Sequence, residues 1–298
     1  MAKQLPTRIS EQRAQTVEAV ISAMENKGLR WLQEWQAGAL AHNAISENAY
    51  RGINRLHLTF AAHVRGYDDP RWCTFRQAQT QGWKVKKGAR SYAVEKWKSY
   101  RVERQDDDGN DTSYTGLACV GYYSVFNLCE VEGAPAYDSH LPALTPNSVT
   151  AIADGLIASS RCPVYETQEG RAYYSPARDD IHMPDRRLFV GDNAYRAQNF
   201  VRTLAHEMTH STMAVTHRDT SDYAFEELIA ELGSMFVCAD LHVPAVYDEG
   251  DPHFEQHAAY LKSWLSHFTD KPDTLFSAAA RADLAAAYIC ERYHLMND

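Results

Sequence analysis

An α+β protein built as two domains is what this sequence predicts, and three observations predict it. The chain has 298 residues, close to twice the usual domain length of about 100–150 residues. Segments with period-two alternation and segments with helical periodicity both occur along it, separated by turn-forming residues. Charge is also divided unevenly: residues 1–104 hold 18 Lys and Arg against 9 Asp and Glu, while the remaining 194 hold 12 against 30. The net charge of -9 conceals this division, and the two parts are expected to meet different partners.

Ser10 reads as the N-cap of a first helix, with Val17, Val20, Ile21 and Met24 on one face and a stop at Lys27-Gly28. Asn48 to Phe60 and Gly66 to Phe75 mix turns with short elements. Trp83 to Arg104 alternates in places, notably Tyr92-Ala93-Val94-Glu95-Lys96-Trp97, and reads as strand, with Leu117 to Leu128 returning as its partner. Between them, Asp106-Asp107-Asp108-Gly109-Asn110-Asp111 is a hairpin loop, because the glutamate a calcium loop needs downstream is missing. Glu132 to Ser148 contains Gly133, Pro135, Pro142 and Pro146 and is read as a linker. The expected domains are therefore residues 1–132 and 149–298, with 133–148 between them. Pro146 opens a helix carrying Val149, Ile152, Ala153, Leu156 and Ile157. Tyr173 to Pro176, Asp180 to Met183 and Arg187 to Val190 are short strand candidates ahead of a further helix.

Several classes are set aside by composition. The hydrophobic fraction of 45% supports globular cores, and no run of 18 apolar residues suggests a membrane span. The Met-Ala-Lys-Gln start lacks the apolar segment of a secretion signal. Six cysteines without a Cys-x-x-Cys pair read as reduced thiols of a cytoplasmic protein, neither a disulfide framework nor a zinc ribbon.

The chemistry concentrates in His206-Glu207-Met208-Thr209-His210. The run before it, Ala197 to Ala205, has no Gly or Pro and places Phe200, Val201, Leu204 and Ala205 on one helical face. On that helix, positions i and i+4 point the same way, so His206 and His210 can address one ion. Composition alone would generate the His-Glu-x-x-His pattern roughly 0.03 times in such a chain. A zinc ion held by three protein ligands keeps a position for water and lowers its pKa toward about 7. Glu207 is then the general base, taking the proton during attack on a carbonyl and delivering it to the leaving amine.

A second helix, Tyr223 to Cys238, supplies the third ligand. Glu227 and Glu231 lie four residues apart on one face. Glu227 is the expected ligand, and Glu231 is expected to hold the other ring nitrogen of a ligand histidine. Spacing leaves the reverse assignment open, and also Glu226, which should point about 100° away. His217, Arg218 and Tyr223 are candidates for stabilising an oxyanion. Two His and one Glu suit Zn2+ best, while Mn2+ and Co2+ accept the same ligands.

The basic half contains five of the six tryptophans, Trp31, Trp35, Trp72, Trp83 and Trp97, interleaved with Tyr50, Tyr67, Phe75, Tyr92 and Tyr100. Lys and Arg neutralise phosphates, and aromatic faces stack on unpaired bases, so this combination suits single-stranded nucleic acid better than duplex. The densest stretch runs from Arg71 to Arg76 and from Trp83 to Arg90 and has no acidic residue in either run. The candidate contacts are Tyr50, Arg51, Arg55, Arg71, Trp72, Arg76, Trp83, Lys84, Lys86, Lys87 and Arg90. Opposing this reading, tryptophans commonly build cores, and Lys-x-Lys-Lys-Gly resembles a solvated turn. The acidic balance of the second half should confine DNA to the first.

Several segments carry a family resemblance. Ala49-Tyr50-Arg51-Gly52-Ile53-Asn54, Asp69 to Ala78, Val85-Lys86-Lys87-Gly88 and Val125-Phe126-Asn127 resemble the N-terminal domain of the antirestriction ArdC family. Asp180-Ile181-His182-Met183-Pro184, His206 to His210 and Tyr223 to Glu231 resemble that family's zincin-like metallopeptidase domain. The likeness covers nearly the whole chain in the family's order. It implies a plasmid-encoded protein that binds single-stranded DNA and shields incoming conjugative DNA from restriction in the recipient cell. It also implies His206 and His210 as ligands, Glu207 as the catalytic glutamate, a ligand glutamate between Glu226 and Glu231, and an unidentified protein substrate. Relatives often have Trp just after the second histidine, where this chain has Ser211. That departure bears on packing or substrate access, since neither position is a ligand. A competing reading is a DNA-protecting protein whose metal site is structural.

Overall fold

The structure, a computed structural model, describes residues 6–27, 40–105, 111–138, 144–189, 191–218, 221–244, 263–266 and 268–297. Trp31, Trp35 and the acidic residues 106–110 lie outside this set.

The first domain opens with helix α1 (Thr7–Lys27), which starts before Ser10 and so places that residue inside the helix. Strand β1 (His42–Asn43) follows, then helix α2 (Gly52–Arg65), where the sequence suggested only mixed turn and element. Gly66, in the left-handed conformation, ends α2 and incurs no steric penalty there because it has no Cβ. Strand β2 (Arg71–Thr74) leads into the short helix α3 (Phe75–Thr80), which Thr74 and Gln77 close with reciprocal capping hydrogen bonds. The region expected as one strand from Trp83 divides into β3 (Lys84–Val85) and β4 (Tyr92–Gln105). Strand β5 (Asp111–Asn127) pairs antiparallel with β4 as far as Gln105 and Asp111, and β6 (Val131–Glu132) pairs with β3. The main sheet has the order β1-β2-β5-β4.

Helix α4 (Pro146–Ser159) follows. Thr145 caps it with a capping box, and Pro146 occupies a position whose N–H would have no helical partner. A three-stranded sheet of order β7-β9-β8 follows, from β7 (Val164–Thr167), β8 (Tyr173–Ser175) and β9 (Asp180–Pro184). The third strand expected at Arg187 to Val190 is replaced by a 3-10 turn over Arg186–Leu188, initiated by the Asp185 side chain accepting from the Arg187 amide. Helices α5 (Asn193–Ser211), α6 (Tyr223–Asp240) and α7 (Asp273–Asn297) complete the fold. Asp192 and Asp222 cap α5 and α6. The alanine-rich α7 follows from high intrinsic helix propensity, and it packs along α6 and α2.

Helices α1 and α2 join the apolar core of the second domain, while the residues under the main sheet, such as Trp72, Val94 and Val125, form separate clusters. Val17, Val20 and Met24 of α1 and Ile53 and Leu56 of α2 pack in one cluster with Leu156, Phe200, Phe236, Ala279 and Ile289. Each large apolar side chain removed from water contributes about 1.5–3 kcal/mol, so this seam holds the halves against one another. Residues 133–138, the described start of the expected linker, form a turn and coil. Among the described residues, no helix is long and apolar enough to cross a membrane.

Candidate metal centre

Helix α5 and helix α6 approach each other closely enough to bring their polar faces into one buried cluster. A Cβ on Gly233 of α6 would lie 2.6 Å from Thr209 of α5, so glycine is required for this approach. Across the contact, the structure brings together His206, His210 and Glu227. The two histidine Nε2 atoms are 3.1 Å apart, and the Glu227 carboxylate lies 3.6 Å from His206 Nε2 and 3.5 Å from His210 Nε2. Metal–nitrogen bonds of about 2.0–2.1 Å in tetrahedral geometry separate their ligand atoms by about 3.3 Å. The three donors are thus spaced to share one ion.

Each histidine is oriented from behind. His206 Nδ1 faces the Glu231 carboxylate at 3.4 Å, and His210 Nδ1 faces Glu226 at 3.3 Å. A ring proton on each Nδ1 leaves both Nε2 lone pairs directed into the same space, an arrangement that calls for a cation between them. Each carboxylate has its own guanidinium: Arg202 Nη1 lies 3.8 Å from Glu231, and Arg218 Nη2 lies 2.7 Å from Glu226. Glu226 is not among the converging donors. Its role behind His210 was not read from the sequence, because it depends on how α6 is rolled against α5.

Arg218, a candidate oxyanion donor, is committed elsewhere. It is buried and donates to Glu226, to the Thr209 carbonyl and to the hydroxyls of Thr212 and Thr216. Those contacts fix the chain just after α5 and orient Glu226. Tyr223 is exposed at the start of α6, and His217 occupies a left-handed backbone conformation.

Charge explains why the cluster suits a divalent cation. With neutral imidazoles, the carboxylates of Glu207, Glu226, Glu227 and Glu231 face the guanidinium groups of Arg202 and Arg218, leaving a net charge of -2 in a buried region. Burial opposes protonation of both rings, but the carboxylates outweigh it. Glu227 and Glu231 lift His206 to about 10, and Glu226 and Glu227 lift His210 to about 8. Burial would raise the Glu227 carboxyl, yet the two histidines hold it far below the usual carboxylate range. Glu226 is lowered likewise by His210 and Arg218 against the effect of its burial.

Glu207 is 7% exposed, and its Oε2 accepts the Tyr174 backbone N–H at 2.8 Å. Tyr174 belongs to β8, an edge strand of the three-stranded sheet. The second carboxylate oxygen is left to accept or return a proton.

The candidate nucleic-acid contacts separate by exposure. Arg51, Arg76, Lys84, Lys86, Lys87 and Arg90 lie at the surface, and Tyr50 and Trp83 are half-buried. Trp72 and Arg55 are corrections. Trp72 has no exposed surface and makes edge-on contacts with Tyr67 and Tyr92, so the core holds it away from any base. Arg55 is 4% exposed and reaches across the domain seam to Asp240 at 3.2 Å, the Phe236 carbonyl at 3.1 Å and the Phe236 ring. Arg71 is engaged by a bidentate pairing with Asp69 and by the Pro135 carbonyl. Phe75, 53% exposed beside Arg76, is an accessible aromatic that stood among the interleaved aromatics but not among the candidate contacts.

Comparisons with known proteins agree with this division. Residues 10–126 match the family described as the N-terminal domain of anti-restriction factor ArdC, and residues 151–281 match a zincin-like metallopeptidase family. Two DNA primases TraC of Escherichia coli are 28% and 30% identical over 90% and 91% of this chain. The chain spans only 26% and 19% of their length. The uncharacterized protein y4eC of Sinorhizobium fredii is 30% identical over 96% of this chain and 92% of its own. Crystal structures of the antirestriction protein ArdC from plasmid R388 are also similar. The metal-free form matches with a TM-score of 0.69 and 31% identity over 95% of this chain and 98% of that one. The Mn(II)-bound form has a TM-score of 0.66 and 30% identity over 94% and 97%. With sequence identity of this order sustained over nearly the full length of both chains, and with both domains matched in order, the protein belongs to the ArdC antirestriction family.

Proposed function

We propose that this protein shields incoming plasmid DNA from restriction by binding it as a single strand through the first domain and by acting on a protein through the metallopeptidase site of the second. The observation that carries the peptidase reading is the convergence of His206, His210 and Glu227 beside Glu207. His206, His210 and Glu227 would hold a Zn2+ ion, or Mn2+ or Co2+ in its place, and such an ion supplies Lewis acidity and an acidified water. Glu207 takes a proton on its free carboxylate oxygen and returns it to the leaving amine. Glu231 and Glu226 keep the ring protons of His206 and His210 on Nδ1. A structural zinc site has four protein ligands, whereas three converge here among the described residues.

The DNA reading is supported by the family match and by the exposed cations Arg76, Lys84, Lys86, Lys87 and Arg90, with Arg51, Tyr50, Trp83 and Phe75 contributing cationic or aromatic surface. The acidic second half repels phosphate, which keeps the strand on the first domain and leaves the metal centre to a protein substrate.

The test compares wild type with Glu207→Ala in transfer of plasmid DNA into a restricting recipient, after binding of single-stranded oligonucleotide and Zn2+ is shown to be retained. Loss of protection is the expected outcome. Full protection by Glu207→Ala would mean that DNA binding suffices and that hydrolysis serves another task.

A further inference from the structure

A second polar cluster, away from the metal donors, ties the end of α5 to the β8–β9 hairpin. Its centre is Arg161, just beyond α4. Arg161 Nε donates to the Ser211 carbonyl at 2.9 Å, one residue after His210. The same guanidinium forms a two-pronged ion pair with Asp179 and reaches the Tyr174 hydroxyl. Tyr174 in turn donates its hydroxyl to Asp179 at 2.8 Å, and its backbone N–H to Glu207 at 2.8 Å. Asp179 sits in the turn between β8 and β9 with a φ of 54°, a left-handed conformation uncommon for a residue with a side chain. Its pairing with Arg161 stabilises that turn.

The geometry points to Arg161 as a positioning residue for Glu207: by clamping Asp179 and Tyr174 to the end of α5, it sets the place of edge strand β8 and hence of the amide that holds the Glu207 carboxylate. This rests on the peptidase reading above. Two features make arginine specific to the task. Its planar fork matches both oxygens of Asp179. Its Nε remains free to meet a carbonyl at the side, which an ammonium on a flexible stem cannot do at the same time. The bond from β8 then comes from a backbone group, so its direction is fixed by the strand and not by a rotamer. With one oxygen of Glu207 held, the other stays in a single orientation for proton transfer, where small misplacements cost up to about 10²-fold in rate.

The test uses the full chain loaded with Zn2+ and the variants Arg161→Met and Arg161→Lys. Amide hydrogen exchange at Tyr174 should accelerate about tenfold or more in Arg161→Met, while the Ile181 amide, bonded to Pro163 on the far side of the sheet, is unchanged. Glu207→Ala should release the Tyr174 amide in the same way. Hydrolysis of labelled casein should lose about 10–100-fold in kcat with little change in KM. Zn2+ affinity by chelator competition should stay within about threefold, since no ligand or ligand partner is touched. Arg161→Lys, which keeps the charge and loses the fork, should resemble Arg161→Met and serves if the latter fails to fold. Unchanged Tyr174 exchange in a folded variant overturns the proposal. So does a loss of kcat matched by an equal loss of Zn2+ affinity, the mark of a general structural role. If wild type hydrolyses no casein, or Glu207→Ala hydrolyses it fully, the peptidase reading falls, and the exchange measurement still decides whether Arg161 holds the β8 amide on Glu207.

Discussion

The candidate metal centre and the basic face of the first domain use charged side chains in opposite ways. Around His206 and His210 the charges are buried, each carboxylate has a named partner, and geometry determines what the cluster can do. On the first domain, Arg76, Lys84, Lys86, Lys87 and Arg90 stand in solvent, where ordinary salt screens them within about 8–10 Å. A buried constellation fails when one member is removed, because its partner is left in a medium that cannot solvate it. A solvated face weakens gradually, because its members act nearly additively. Removing members of each in turn separates the two behaviours.

The largest effect should come from the converging donors. Glu227→Ala removes one of three, and Zn2+ affinity should fall well beyond the roughly 10–100-fold loss expected from Glu231→Gln or Glu226→Gln, which only release a histidine ring. Chelator competition ranks the three variants. Equal losses would show that Glu227 has no privileged place.

Arg55→Met comes next. It leaves Asp240 and Asp283 without their cation at the domain seam, and breaking such a buried pairing costs about 3–5 kcal/mol. Chemical denaturation should report this as one cooperative loss, since α1 and α2 share a core with the second domain. A variant as stable as wild type would place Arg55 outside the seam's support.

His57 should give a smaller, pH-dependent effect. Its Nδ1 lies 2.9 Å from the Thr16 hydroxyl, its Nε2 is buried without a hydrogen-bond partner among the described residues, and Tyr92 packs edge-on against the ring. Burial first, then Arg90 and Arg13, lowers its pKa from 6.5 to about 4. Between those values the unfolded chain binds a proton that the folded one does not. The native state is therefore favoured fully above pH 6.5 and loses that advantage as pH falls toward 4. His57→Gln should flatten this part of the stability profile, and melting temperatures across the window check it.

The smallest effect on the fold should come from replacing Lys84, Lys86 and Lys87 together with alanine. Stability should change by about 0.5 kcal/mol or less per site. Binding of single-stranded oligonucleotides should weaken uniformly across sequences, with the salt slope reduced by about 0.7 for each phosphate that is no longer neutralised. An unchanged slope would move the DNA surface elsewhere, with the exposed Phe75–Arg76 pair as the next site to probe.

How much was readable beforehand follows from the range of the interactions. Pro146 acts within its own turn, and α4 starts where it was read, while α5 begins at Asn193, ahead of the Ala197 to Ala205 run, because Asp192 caps it there. The alternation around Tyr92 to Trp97 gave a strand, but its long partner extends to Asp111 because cross-strand pairing continues past the alternating segment. The Arg187 to Val190 stretch looked extended until Asp185 closed a 3-10 turn on it. Trp72 and Trp83 share a composition-based expectation, yet one has no exposure and the other is half-buried. Nothing within a few residues of either distinguishes them.

By itself, the sequence determined the pairing of His206 with His210 and the place of Glu207 beside them, because helix geometry is local and puts i and i+4 on one face. It also determined the unequal charge of residues 1–104 and 105–298, which needs only counting. Tertiary structure decided which of three glutamates joins the donors, which stand behind the histidines, and that Arg55 binds another domain and not phosphate. Those outcomes depend on the roll and closeness of packed helices, set by contacts such as Gly233 against Thr209, and residues distant in sequence fix them only when the chain folds.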